Sequence, residues 1–202
     1  IHMPLATDPA LFHGDPQEAT AHPLAFVGTS MIEQATEAWE KLEHLPDVVR
    51  AMLEAFDSGH VTRERFADGI DAILGRDTLE GRTVGELRNM ELCLVYEATR
   101  RQRADMALAL EPLGLEVRGD PSWRHVIARV NGPVGYYDDL AGFYRETAVN
   151  VNNTSLQMKS TVNQRVFDCP AAGGFLITDR QADLLELFDE SEVISYTTLD
   201  EL

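Results

Sequence analysis

The chain has 202 residues, enough for one domain with a sizeable core or for a domain carrying a subdomain. Apolar residues make up 44% and charged residues 25%, which excludes wholesale disorder and a collagen-like chain. Lys and Arg number 17 against 34 Asp and Glu, so the net charge is −17. That balance excludes general nucleic-acid binding and leaves room for a local basic pocket that holds a small phosphate ligand.

The opening Ile1-His2-Met3 reads as an expression-tag scar. Residues 4–24 hold four of the nine prolines and no apolar period, which predicts an extended linker or wrapping segment. Leu24-Ala25-Phe26-Val27-Gly28 is a short apolar run ended by glycine, the pattern of a buried parallel strand opening into a loop. Apolar residues spaced by three and four from Ile32 to Phe56 predict a helix broken near Pro46. Thr62 is placed to cap a second helix running through Phe66, Ile70, Ile73 and Leu74 to Gly75. Thr83-Val84-Gly85-Glu86 is a capping box, and a long helix follows it towards Leu113, with Gly114 as the stop.

After Gly114 the rhythm changes. Short strands are predicted at Leu115–Arg118, His125–Val130, Ala148–Asn152, Phe175–Thr178 and Val193–Tyr196. Helices are predicted at 137–147, 157–172 and 181–188. Strands alternating with helices at this pitch give right-handed βαβ units and a parallel sheet. The expected fold is therefore α/β: a Rossmann-like layer of six strands over residues 25–202, with a helical insertion at about 31–110. No apolar run approaches the roughly 20 residues that span a bilayer. Cys93 and Cys169 stand far apart, without metal-ligand or disulfide spacing, as expected of two reduced thiols in a cytoplasmic protein.

An open parallel sheet binds its ligand outside the carboxyl ends of its strands. The loops expected there are Gly28-Thr29-Ser30, Gly119-Asp120, Asn131 to Gly135, Asn152 to Ser155 and Asp179-Arg180. Gly28, Thr29, Asn131, Gly135 and Asn152 are the candidate ligand-binding residues among them, offering close backbone approach, amides and hydroxyls. No dinucleotide fingerprint, P-loop, serine-hydrolase elbow or H-E-x-x-H motif occurs, and no metal site is expected. Arg100, Arg101 and Arg103 form a basic cluster on the long helix that reads as a solvated face.

Residues 150–202 contain two strand-end asparagines (Asn150, Asn152), then Arg165-Val166-Phe167-Asp168, Ala172-Gly173-Gly174, Thr178-Asp179, Leu185-Glu186-Leu187-Phe188 and Glu201-Leu202. This run resembles the nucleotide-binding half of GT-B glycosyltransferases, in particular the CgeB-like family related to spore-coat maturation proteins. Pro4 to Pro9 resembles that family's interdomain linker, Phe26-Val27-Gly28 its first C-terminal strand, and Gly135-Tyr136-Tyr137 with Leu140 a later helix unit. The resemblance implies the C-terminal, donor-binding half of a transferase that uses a nucleoside-diphosphate sugar and no other cofactor. It implies that an N-terminal acceptor domain is missing and that the isolated fragment is inactive.

It also adds Lys159, Arg165, Asp168, Gly173 and Gly174 to the candidate donor-binding residues. Lys159 and Arg165 are the only basic residues between 146 and 179, where the family places its diphosphate contacts. The alternative for Arg165 is a helix surface pair with Asp168. The sequence departs from the family at Ser160, where retaining GT-B enzymes often carry a glutamate. A non-catalytic nucleotide-sugar-binding module and a sugar-nucleotide epimerase are the competing functions.

Overall fold

The computed structural model describes residues 6–15 and 21–202. The tag scar, the first two residues of the linker resemblance and residues 16–20 lie outside that range. The described chain divides into two compact units. A sheet unit takes residues 6–15, 21–30, 103–154 and 161–202, and a helical unit takes residues 31–102 and 155–160.

The sheet unit is built on six strands: β1 (His22–Val27), β2 (Glu116–Arg118), β3 (Val130–Asn131), β4 (Thr147–Asn152), β5 (Leu176–Asp179) and β6 (Ile194–Tyr196). All neighbours are parallel, in the order β3-β2-β1-β4-β5-β6. This is the expected α/β, Rossmann-like sheet. The order reverses between β1 and β4, so the crevice at their carboxyl ends is the natural ligand position. The register aligns Val27 with Arg118 on one side and Phe26 with Val151 on the other. On β4 and β5, Asn152 stands beside Thr178.

The two sheet faces bury different clusters. One carries Ala25 and Leu176 against Phe12, Leu140, Phe143, Tyr144, Val166 and Cys169. These come from residues 6–15 and from α7 (Leu140–Glu146) and α8 (Arg165–Ala171). The other carries Phe26, Val117 and Val151 against Met106, Ala107, Leu110 and Trp123. Alternate residues of β1 thus feed opposite cores, which is why the run Leu24–Val27 is apolar without a break.

The predicted strand His125–Val130 shrinks to Val130–Asn131. Residues Pro121–His125 instead form a turn of 3₁₀ helix, because Asp120 accepts from the Ser122 N–H at 3.1 Å and Pro121 presets the first turn. The predicted helix 157–172 shrinks to α8. Arg63 donates to the carbonyls of Ser155 and Met158: the Ser155 oxygen shares it with Met158 N–H in a turn at 3.0 Å, and the Met158 oxygen accepts from the guanidinium where a helix would supply a backbone N–H. A short α9 (Leu184–Leu187) lies between β5 and β6.

Between β1 and β2 the chain forms α1 (Ile32–Glu40), α2 (Pro46–Asp57), α3 (Arg63–Asp68), α4 (Asp71–Leu74), α5 (Arg76–Leu79) and α6 (Val84–Leu110). Pro46 starts α2 at its first turn, where its missing N–H costs nothing. Thr62 caps α3, but the helix expected to continue to Gly75 is broken by Gly69, whose φ is 116°. Thr83 and Glu86 form the expected capping box: the Glu86 carboxylate accepts from Thr83 N–H at 2.7 Å, and Thr83 Oγ1 accepts from Glu86 N–H at 3.2 Å. The helical unit has its own core, including Leu42, Val48, Met52, Phe66, Met90, Leu94 and Leu156. Burial pushes the thiols of Cys93 and Cys169 up to about 12, so both are unreactive packing groups.

Candidate active site at the carboxyl ends of β1 and β4

The centre of the site is Phe26, fully buried near the end of β1. Its ring lies against Gly28, where an added Cβ would come within 2.7 Å of the ring. Glycine there admits the aromatic ring, a different reason from the ligand approach expected of it. Two guanidiniums lie 5.7 Å from the ring centroid, those of Arg103 and Arg165. Thr29 and Asn152 place them. Arg103 Nη1 donates to Thr29 O at 2.8 Å and Thr29 Oγ1 at 3.0 Å, and Nη2 donates to Asn153 O at 3.4 Å. Arg165 donates to Asn152 Oδ1 at 2.6 Å, to Val27 O and to Tyr144 Oη at 3.3 Å.

Arg103 corrects the solvated-face expectation. Arg100 and Arg101 are partly exposed and pair with Glu97 at 2.7 Å. Arg103, however, is only 8% exposed. Burial, and then the charge of Arg165, pull its guanidinium down to about 10, while Asp179 and Asp120 pull the other way. Arg103 nevertheless stays charged at neutral pH. Among the described residues neither forms an ion pair with a carboxylate. Arg165 therefore does not make the surface pair with Asp168 that was its alternative reading.

Around this pair runs a network of uncharged donors and acceptors. Asn152 and Asn163 exchange amide hydrogen bonds at 2.8 and 3.1 Å, and Asn152 Nδ2 also reaches Thr178 Oγ1 at 2.9 Å. Asp179 Oδ1 accepts from Thr154 N–H and Oγ1, both at 2.9 Å, and Gln181 Nε2 donates to its other oxygen. Tyr196 donates to Asn152 O at 2.9 Å. Three buried atoms in this region have no hydrogen-bond partner among the described residues: Arg103 Nε, Asn153 Oδ1 and Gln181 Oε1. Native folds leave few such atoms, and they concentrate where ligands bind. Asp120 braces the β1 loop from the next strand, accepting from Ser30 N–H at 2.6 Å and Ser30 Oγ at 2.7 Å.

The structure therefore brings together Gly28, Thr29, Asn152 and Arg165. The other candidates lie elsewhere. Lys159 belongs to the helical unit, its ammonium 5.1 Å from the Phe66 ring. Asn131 is exposed on β3 and donates to Glu116 Oε1 at 2.9 Å. Gly135 offers its carbonyl to the N–H groups of Asp139 and Leu140 where α7 begins. Gly173 and Gly174 precede β5, at the amino end of the strand. A Cβ on the first would meet Asp15 O at 2.7 Å, and on the second Tyr144 O at 2.8 Å, so both are required for backbone packing.

Asp168 is 1% exposed and accepts from Tyr136 Oη at 3.1 Å, while Tyr136 itself accepts from Gln164 Nε2 at 2.7 Å. Burial raises its pKa above the usual aspartate value, against the hydrogen bond from Tyr136 and the charge of Arg165. A carboxyl raised in the folded state favours folding below its unfolded pKa, and that contribution is lost as pH rises through the folded pKa. Asp168→Asn removes the titration. Relative to wild type, the variant is expected to gain stability as pH rises above about 4 and then to level off. Urea unfolding along a pH series checks this; parallel profiles for the two proteins contradict it.

Of the residues that hold the site, Arg103, Asn163 and Gln181 were not expected from sequence. Arg103 carried one available signal. It sits on the helix that leads into β2, a position from which a side chain reaches the carboxyl end of β1. Its neighbours Arg100 and Arg101 masked that signal.

Among the described residues no helix is long and apolar enough to cross a membrane, and no cluster of three or more metal-ligating side chains occurs. Comparison with curated proteins and with solved structures gives no match. The family model described as glycosyl transferase-like matches residues 88–202, which takes in most of α6 with Arg103, strands β2 to β6 and Arg165. With more than half of its length matched, and with a parallel sheet that gathers two arginines at its switch point, the chain belongs to the glycosyl transferase-like family.

Proposed function

We propose that the chain is the donor-binding part of a CgeB-like glycosyltransferase, and that the carboxyl edge of β1 and β4 holds the diphosphate of a nucleoside-diphosphate sugar. The observation that carries this reading is the Arg103–Arg165 pair on Phe26. Two guanidiniums, one almost fully buried, stand together without a carboxylate partner among the described residues. In a chain of net charge −17, such a pair calls for an anion.

Glycosyl transfer from such a donor breaks the bond between the anomeric carbon and the phosphate oxygen, and the departing diphosphate gains negative charge. Fixed guanidiniums aimed at that charge lower the barrier, because they need no reorganisation during the reaction. Arg165 has two of its five N–H groups unengaged by acceptors among the described residues, enough for a two-point contact with phosphate oxygens. Thr29 and Asn152 hold the two arginines in place. The acceptor-binding half is assigned to a preceding domain, as the family resemblance implies.

A thermal-shift panel tests the reading. Nucleoside mono- and diphosphates and sugar nucleotides are added to the protein one by one. At least one diphosphate should raise the midpoint more than its monophosphate, approaching about 2.7 kcal/mol of stabilisation at a hundred times its Kd. A panel in which no diphosphate moves the midpoint contradicts the proposal.

A further inference from the structure

The sheet unit has a second cleft, of about 410 Å³, lined among others by His22, Arg118, Asp138, Asp139, Phe143 and Glu146. Its size is that of a small-molecule site. Glu116 organises its inner wall. Glu116 Oε2 lies 3.0 Å from His22 Nδ1, and Oε1 lies 2.7 Å from Arg118 Nε and 2.9 Å from Asn131 Nδ2. Burial opposes ionisation of Glu116, yet the hydrogen bonds from Asn131 and His22 and the charge of Arg118 hold its carboxyl below the usual value. An ionised carboxylate only accepts, so the proton of His22 sits on Nδ1 and Nε2 is left to an occupant.

Phe143 packs against both His22 and Arg118. The His22 ring centroid is 4.8 Å from that of Phe143, and Arg118 Cζ is 5.1 Å from it. The terminal N–H groups of Arg118 have no partner among the described residues. The other lining groups have the opposite sign. Asp138, Asp139 and Glu146 form no ion pair among the described residues. Asp139 stands at the N-cap of α7 but its side chain makes no capping bond, so its carboxylate is not used by the helix.

A purely anionic ligand would be repelled by three carboxylates, and a purely cationic one would leave the terminal N–H groups of Arg118 without an acceptor. We propose that this cleft binds a small zwitterion, its anionic group on the head of Arg118 and its ammonium among Asp138, Asp139 and Glu146. The site is independent of the donor site, since it shares no residue with it.

Calorimetric titration with glycine, 4-aminobutyrate and 6-aminohexanoate tests the proposal, with butyrate and butylamine as singly charged controls. One of the three amino acids should bind at least tenfold more tightly than either control. Arg118→Met and Glu146→Gln should each weaken that binding at least tenfold and leave nucleoside-diphosphate binding unchanged. Glu146 is an exposed rim residue, so its variant decides the matter if Arg118→Met does not fold. Binding of no amino acid above the controls, or binding that neither folded variant weakens, overturns the proposal. Amino-acid binding without any nucleotide binding would uphold it and remove the donor reading instead.

Discussion

Exchange of Arg103 for methionine is expected to weaken nucleoside-diphosphate binding about 10- to 150-fold, the loss of a charged hydrogen bond worth about 1.5–3 kcal/mol. Arg103 is 8% exposed and shares the Phe26 ring with Arg165, so a phosphate between the two is shielded from water that would weaken the attraction. Methionine keeps most of the stem and loses the charge. The Thr29 carbonyl, which accepts from Arg103 at 2.8 Å, then loses its donor. Stability should fall by about 1–3 kcal/mol for that reason alone. Calorimetric titration of the folded variant separates the two effects. Wild-type affinity in Arg103→Met would place the phosphate away from the guanidinium pair.

The largest loss of stability is expected from Trp123→Ala, about 3–5 kcal/mol, the range for deleting a large buried aromatic side chain. Trp123 is fully buried, its ring 5.8 Å from that of Phe26 in an edge-on arrangement. Its Nε1 donates to Gly28 O at 2.8 Å. Gly119 belongs to the same construction, since a Cβ there would lie 2.2 Å from Gly28 O and 2.8 Å from Trp123 Nε1. Trp123 thus ties the β1 loop to the core beneath it. Trp123→Phe, which keeps a ring and drops the donor, should lose less. Denaturant unfolding with an unchanged m-value measures both. An alanine variant within 1 kcal/mol of wild type would contradict this packing account.

The sheet was legible because its signals are local. Apolar runs such as Leu24–Val27 and Phe175–Thr178, each ended by glycine or aspartate, mark buried parallel strands without any knowledge of partners. The capping box at Thr83–Glu86 is four consecutive residues, and it forms as read. Errors arose where long-range contacts override local preference. Residues 157–164 have helical spacing, but Arg63, about 90 positions away in the chain, takes the Met158 carbonyl and shares that of Ser155. At Asp120-Pro121 a side-chain cap and a proline outweighed the strand-like His125–Val130.

The candidate site was half legible for the same reason. Gly28, Thr29, Asn152 and Arg165 follow from strand ends and from the family-like run, and they converge. Lys159 looked equivalent to Arg165 by sequence distance, but loop geometry sends it to Phe66. Arg103 looked equivalent to Arg100 and Arg101, yet it turns to Thr29 while they turn to Glu97. Arg100 and Arg103 are three positions apart and so share a helix face, and only tertiary structure shows which one is buried. Gly173 and Gly174 were read as ligand-facing because the motif contains them. The backbone oxygens of Asp15 and Tyr144 supply their reason.

The most direct test of the central claim is a crystal structure of the protein with the nucleoside diphosphate that raises its midpoint most. The account predicts phosphate oxygens within hydrogen-bond reach of both Arg103 and Arg165, at the carboxyl ends of β1 and β4. Phosphates bound elsewhere, with the two guanidiniums still on Thr29, Asn152 and Val27 and touching no ligand, would contradict it.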